Sequence, residues 1–307
     1  MAAHGAAAPA VAPMPELPDI AVYLDCLAPR VVGRPLERLT VRNPFVLRSV
    51  NPSPGDVAGA RVEGLRRMGK RIVLALEGER FVVIHLMIAG RLRWLAAGGK
   101  APGKLALASF EFPTGTLVLT EAGTTRRASI HLVEGAAGLE PFARGGLEVL
   151  ETDREAFGAR LVSENHTLKR ALTDPRLFSG IGNAYSDEIL HRARLSPLTL
   201  TRRLAPEAID RLFVATRETL EDWTRRLRAE VGDGFPGKVT AFREGMAVHG
   251  RYGRPCPVCG TKVQRIRYAA NETNYCARCQ TGGRLLADRA MSRLLHEDWP
   301  RSIDDLE

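Results

Sequence analysis

"TLKRALTDPRLFSGIGNAYSDEIL", residues 167 to 190, decides how the second half of this chain is built. Both ends of the stretch read as helices, and Gly180, Gly182 and Asn183 stand between them, immediately before the second helix begins. Glycines let the backbone turn tightly, and the first amides of the next helix then point outward with the helix dipole behind them, which favours an anion. Lys169 lies close enough in sequence to share such a site, and the Asn183 amide can donate to a phosphate oxygen or cap the helix. A lone Gly-x-Gly fits an ordinary tight connection between helices equally well.

Working outward, the same helical period runs through "TDREAFGARLVS" before this stretch and "PEAIDRLFVATRETLEDWTRRLRAEV" after it, so a helical domain is expected over 150–245. Nearer the N-terminus the pattern changes. "LPDIAVYLDCLAPRVVG" places Ile20, Leu24 and Leu27 at helical spacing, and β-rich runs follow at 36–41, 71–77, 80–86, 105–112 and 116–120. Their short spacing and Gly turns predict an antiparallel β-sandwich over 14–140, giving an α+β chain with a leading helix. A further short helix is expected in "LLADRAMSRLLHEDW", within a C-terminal tail at 283–307.

"CPVCG" and "YCARCQ" supply Cys256, Cys259, Cys276 and Cys279. Each close pair presents two thiolates from one turn, and the intervening residues can form a hairpin that closes a tetrahedral shell, so 246–282 is read as a zinc finger. Four thiolates leave no position for a reacting water; the single zinc ion is structural. Cys26 stands apart in apolar surroundings and reads as a small buried hydrophobe.

The chain carries 44 Lys and Arg against 35 Asp and Glu, a net charge of +9 that favours a polyanionic partner. The surplus is concentrated: Lys238, Arg243, Arg251, Arg254, Lys262, Arg265 and Arg267 face only Glu244 over 238–267. No apolar run approaches the roughly 20 residues that a membrane-spanning helix needs.

These elements resemble the formamidopyrimidine-DNA glycosylase and endonuclease VIII family. The resemblance rests on "MPELPD" at 14–19, "RRMGKRIVLAL" at 66–76, the 167–190 stretch and the four-cysteine finger after "GRYGRPC", in the family's order. It implies a β-sandwich joined to a helix-two-turns-helix domain, with damaged double-stranded DNA in the cleft between them. It further implies a bifunctional enzyme that removes a damaged base and nicks the strand. The N-terminal proline is the family's nucleophile, here Pro15, which forms a Schiff base at C1′; Glu16 becomes the acid-base partner. Lys70 corresponds to a lysine that reaches phosphates beside the lesion, and Lys169 and Asn183 to phosphate contacts that are insensitive to sequence. Excision at C1′ requires the nucleotide to leave the stack.

That chemistry bears on residues 1–13, "MAAHGAAAPAVAP". A proline nitrogen inside a chain is a tertiary amide with no available lone pair. The active form is therefore expected to begin at Pro15, with the extension absent or removed and Met14 trimmed.

The sequence departs from the family in the finger, where Asn271 occupies the place of an arginine that grips flanking phosphates; Arg265, Arg267 and Arg284 are candidates to replace it. The gap-filling residues differ too. Ile88 falls where a Met is usual, with Met87 one place earlier, and "TTRRAS" offers Arg126 or Arg127 but Ala128 in place of an aromatic wedge. "GDGFPGKVTAF" at 232–242 resembles the lesion-covering loop of the formamidopyrimidine branch, which points to oxidised purines. Asp19 stands where the family has Glu, as a helix-supporting carboxylate. Three alternatives stay open: an enzyme for oxidised pyrimidines, a zinc-finger DNA-binding protein without catalysis, and a zinc ribbon for RNA. A cytoplasmic, nucleoid-associated monomer is expected.

Overall fold

The computed structural model describes residues 14–99, 102–122, 125–237, 243–268, 271–287, 293 and 300–306, with backbone alone at 268 and 271. The chain opens with α1 (Leu17–Val31), whose buried face includes Ile20, Tyr23, Leu27 and Val31 at helical spacing. Eight strands follow: β1 (Arg38–Val41), β2 (Val62–Met68), β3 (Arg71–Leu76), β4 (Arg80–His85), β5 (Gly90–Leu95), β6 (Ala106–Phe112), β7 (Gly115–Glu121) and β8 (Ser129–Glu134). They form two four-stranded sheets of order β1-β6-β7-β5 and β2-β3-β4-β8, every pairing antiparallel. Ile72, Leu74, Val82, Ile84, Leu92, Phe110, Leu117, Leu119 and Leu132 fill the space between the sheets, together with the apolar face of α1. The expected sandwich is present.

Register puts the functional loops at one end of this sandwich. His85 pairs with Arg71 and with Ser129, and Gly90 pairs with Glu121. The β2–β3 turn at Gly69–Lys70, the β4–β5 turn that holds Met87 and Ile88, and the β7–β8 loop therefore emerge together.

The second core belongs to α2 (Arg154–Ser163), α3 (Leu168–Thr173), α4 (Asn183–Arg192) and α5 (Pro206–Val231). Along α5 the buried positions Leu212, Ala215, Thr216, Thr219, Leu220 and Trp223 recur every three or four residues, and Pro206 opens the first turn, where its missing N–H costs nothing. Phe157, Leu168, Leu172, Phe178, Tyr185, Ile189 and Trp223 pack against them. β9 (Gln264–Tyr268) and β10 (Asn271–Tyr275) pair as an antiparallel hairpin, and α6 (Ala277–Thr281) follows Cys276. Leu285, Leu286 and Ile303 return onto Ile266 and Tyr275, so part of the tail completes a small core under the hairpin. The remainder of the expected helix over 285–299 lies largely outside the described residues.

Candidate active site

Pro15 and Glu16 are buried at the head of α1, against the turn that precedes α4. Leu17 donates its N–H to the Gly180 carbonyl at 2.9 Å. Gly180 sits at φ +82°, and a Cβ there would meet Leu17 and Arg67 at 2.9 Å, so only glycine permits this approach. The approach delivers the Glu16 carboxylate to the start of α4. It accepts N–H bonds from Gly182 at 2.6 Å, Ala184 at 2.8 Å and Tyr185 at 3.3 Å. The glycine turn thus does hold an anion at a helix N-terminus, and the anion is a carboxylate of the same chain.

Lys70 brings its amine to the same point. A Cβ on Gly182 would fall inside van der Waals contact of both the Lys70 amine and the Glu16 carboxylate, although the Gly182 backbone itself is extended at φ −132°. Burial raises the Glu16 carboxyl above the usual carboxylate range, while Lys70, the Ala184 amide and His249 act in the opposite direction. Burial likewise lowers the Lys70 ammonium, and Glu16 partly restores it.

Further charges hold this pair in place. Asp19 accepts the Glu16 N–H at 2.9 Å and the Arg243 guanidinium at 2.7 Å, with both side chains almost fully enclosed. Lys169 donates to the Asn183 carbonyl at 2.7 Å and to Asp187 at 2.5 Å. Asp187 also receives the His249 ring nitrogen at 2.8 Å and the Asn274 N–H at 3.1 Å. Glu188 accepts the amides of Ala247, Val248 and His249, which fixes the approach to the finger. The Asn183 side chain donates to the Glu272 carbonyl at 3.0 Å and so links α4 to β10. Lys169 and Asn183, expected at phosphates, both make internal contacts.

A cavity of about 440 Å³ opens beside this cluster, between the sandwich and the helical domain. Met14, Lys70, Arg71, His85, Arg144 and Gly180 are among its walls. Arg67, paired with Glu148 and bonded to Ser179 at 3.2 Å, closes one side. Sequence reasoning missed His85, Arg67, Asp187 and His249: Arg67 and Asp187 lie within the quoted 66–76 and 167–190 stretches, but the contacts that set all four apart arise across the chain.

Arg126 and Arg127 are exposed on the β7–β8 loop, and the buried Glu121 holds that loop by accepting the amides of Arg127 and Ala128. Ala128 is buried. Asn271 begins β10 opposite Tyr268. Of the arginines that could replace it, Arg265 lies over the Tyr252 ring at 4.0 Å and 3.5 Å from Glu272, while Arg267 and Arg284 are exposed. The 232–242 loop is described as far as Gly237; Phe235 packs against Tyr23 and Trp94, and 238–242 lie outside the described residues.

The sulfurs of Cys256, Cys259, Cys276 and Cys279 all lie within 4.8 Å of one another, close to the separations in a tetrahedral zinc shell, where each Zn–S bond is about 2.3 Å. The donor set fits one structural zinc ion. His191, at the end of α4, places its Nε2 3.3 Å from the Cys256 sulfur.

Three family models match in order: the formamidopyrimidine-DNA glycosylase N-terminal domain at residues 14–128, the H2TH domain of the same proteins at 146–228, and the zinc finger found in FPG and IleRS at 253–282. A formamidopyrimidine-DNA glycosylase of Aromatoleum aromaticum is 34% identical over 286 residues, which cover 87% of this chain and 99% of that one. A formamidopyrimidine-DNA glycosylase-like protein of Mycobacterium tuberculosis is 41% identical over 150 residues, covering 49% of this chain. The crystal structure of the MutM (FPG) protein of Thermus thermophilus superposes with a TM-score of 0.73 at 32% identity over 87% of this chain and 98% of that one. The fold also matches a Lactococcus lactis FPG mutant bound to DNA containing Fapy-dG, with a TM-score of 0.75 at 22% identity, covering 87% of this chain and all of that one. Fold and site define a zinc-finger DNA glycosylase. This chain belongs to the formamidopyrimidine-DNA glycosylase family.

Proposed function

We propose that this protein is a base-excision DNA glycosylase with abasic-site lyase activity, acting as a monomer on damaged double-stranded DNA in the cytoplasm. Its preferred lesions are oxidised purines, namely formamidopyrimidines and 8-oxoguanine. The observation that carries the reading is the placement of Glu16. A buried carboxyl with a raised pKa, directly after Pro15, sits beside Lys70, which itself lines a cavity walled by cations.

The Pro15 nitrogen, once unacylated, attacks C1′ of the flipped nucleotide; the bond to the base breaks and an iminium remains. Glu16 supplies and removes protons at the sugar, first as the ring opens and then during elimination of the strand phosphate. The α4 amides hold its carboxylate in one orientation, and Lys70 offsets the charge it gains on ionising. Arg71 and Arg144 provide the positive field for a phosphate backbone.

Borohydride reduction on a damaged duplex tests the reading. Protein that begins at Pro15 is expected to yield a covalent adduct and the 1–307 chain none; an adduct with the intact chain overturns the assignment of Pro15. A panel of duplexes containing oxidised purines and oxidised pyrimidines tests the choice of lesion.

A further inference from the structure

Cys256 and Cys276 are the buried sulfur ligands of the finger, at 2% and 0% exposure, whereas Cys259 is exposed. Four thiolates overbalance a doubly charged cation, so the occupied centre is anionic, and N–H or O–H groups that donate to the sulfurs stabilise it. Water can supply such donors only to an exposed sulfur. A buried one depends on the protein. Within the finger, the Thr261 amide and hydroxyl donate to Cys259, and the Cys279 amide donates to Cys276. Cys256 meets a donor from a different domain: its sulfur lies 3.3 Å from Nε2 of His191, in the last turn of α4.

The ring that reaches this sulfur is enclosed, with 6% of His191 exposed, and Val248 and Val263 pack in the same cluster as Cys256. A side chain needed only to fill that space requires no ring nitrogen, and a buried nitrogen without a partner is costly. A zinc-bound thiolate holds no proton, so the hydrogen between the two atoms belongs to Nε2 and the sulfur accepts it. That bond sets the tautomer of the ring. The coordination shell is complete without His191, since the four cysteine sulfurs lie within 4.8 Å of one another. α4 thus meets the finger and the segment leading into it at three levels: Asp187 accepts the Asn274 N–H, Glu188 accepts the amides of Ala247, Val248 and His249, and His191 meets Cys256. Of these three, the last acts on a metal ligand.

We propose that His191 donates its Nε2–H to the metal-bound Cys256 thiolate and so slows the loss of zinc from the finger. It is a positioning residue that acts through the sulfur. The donated hydrogen favours the anionic sulfur over the protonated one, and zinc leaves a thiolate shell as its ligands take up protons. Groups that bond a ligand in this way also hold it at the angle the metal requires. Zinc retention is thereby tied to α4, whose opposite end bonds the Glu16 carboxylate through the Ala184 amide. None of this requires the chemistry of Pro15; the finger and α4 suffice.

The experiment compares the zinc-loaded full chain with its His191→Phe and His191→Gln variants. Phenylalanine keeps a planar ring of similar size without a donor, and glutamine offers an amide N–H near the place of Nε2. Zinc release to excess chromogenic chelator is followed at neutral pH, and circular dichroism reports whether each variant is folded. The expected result is release from His191→Phe faster by about 10-fold or more, with His191→Gln close to the parent protein. Equal rates for parent and His191→Phe overturn the proposal. So do equally fast rates for both variants, because the ring would then matter for its packing alone. A measurement on the parent protein needs no variant: with NMR-active cadmium in place of zinc, the His191 Nε2–H proton is expected to show scalar coupling to the metal across the hydrogen bond. An Nε2–H proton without that coupling overturns the proposal, and a ring nitrogen that has lost its proton and couples directly to cadmium overturns it as well, since His191 would then be a ligand.

Discussion

Glu16 and Ala184 lie 168 positions apart in the chain, yet the carboxylate of one accepts the amide of the other at 2.8 Å. This bond, with its neighbours from Gly182 and Tyr185, joins the head of the sandwich domain to the helical domain through a single side chain. The residue proposed to move protons is thereby also a structural tie between the two cores. Changes that disturb either end should therefore affect chemistry before they affect DNA binding.

Gly182→Ala is the direct test of that tie. The backbone there accepts any L-residue, but a methyl group would displace both the Lys70 amine and the Glu16 carboxylate. Formation of the trapped adduct is expected to fall by about 100-fold or more, the scale of acid–base catalysis. Affinity for undamaged DNA, measured by fluorescence anisotropy, should change little because the exposed cations stay in place. Adduct formation at the parental rate would show that the crowding at Gly182 is relieved without moving Glu16.

Arg243 and Asp19 form an ion pair with side-chain exposures of 9% and 5%. Burial holds the Asp19 carboxyl above its usual range even with the guanidinium beside it. Arg243→Gln leaves a buried carboxylate without its cation, and breaking such a pair costs about 3 to 5 kcal/mol. Denaturant unfolding should register that loss. Asp19→Asn in the same chain should recover part of it, because the stranded charge is then gone. If the double variant is destabilised by the sum of the two single effects, the pair is not coupled.

Much of this architecture was legible in the sequence. The cysteine spacing identified the finger, the period of three to four residues identified α1 through α5, and five of the eight sandwich strands stood out as β-rich runs. β2 did not, because "VEGLRRM" contains Gly64 at a bulge and consecutive arginines, and β5 and β8 carry Arg91, Arg93 and His131 among their apolar residues. Those strands are set by pairing partners rather than by their own composition. In the site, Pro15, Glu16 and Lys70 could be picked out by resemblance. The closure of Glu16 onto α4 could not, since the glycine turn suits a phosphate and a carboxylate equally. Asp187 and His249 were invisible for a related reason: 62 residues separate them, and only the fold brings them together.

Zinc removal tests how far the finger supports the site. The hairpin has little core of its own, with Val248 and Val263 packed around the cysteine pairs, so a chelator should unfold it. Amide exchange in β9 and β10 should rise sharply. Glu188 and Asp187 bind residues 247–249 and 274, so protection should also fall at the start of α4, beyond the finger itself. Cys259→Ser should reproduce both effects in part. Loss of protection confined to the hairpin would show that α4 holds its position without the metal.

His85 provides a pH test that is independent of catalysis. Burial, with Arg71 and Lys70 nearby, lowers its pKa from 6.5 to about 4, so the ring is neutral in the folded protein at pH 7. Between those two values the unfolded chain binds a proton that the folded chain does not, and stability therefore rises with pH across the interval. The contribution is fully present above about pH 6.5 and is lost as the pH falls toward 4, with a ceiling of about 3 kcal/mol for the group. His85→Gln removes the titrating ring from the same cavity wall. Its unfolding free energy, measured by urea at a series of pH values, should decline less steeply than that of the parent protein from pH 6.5 to 4. Parallel profiles would mean that His85 is protonated with equal ease in both states, and that water reaches the ring from the cavity.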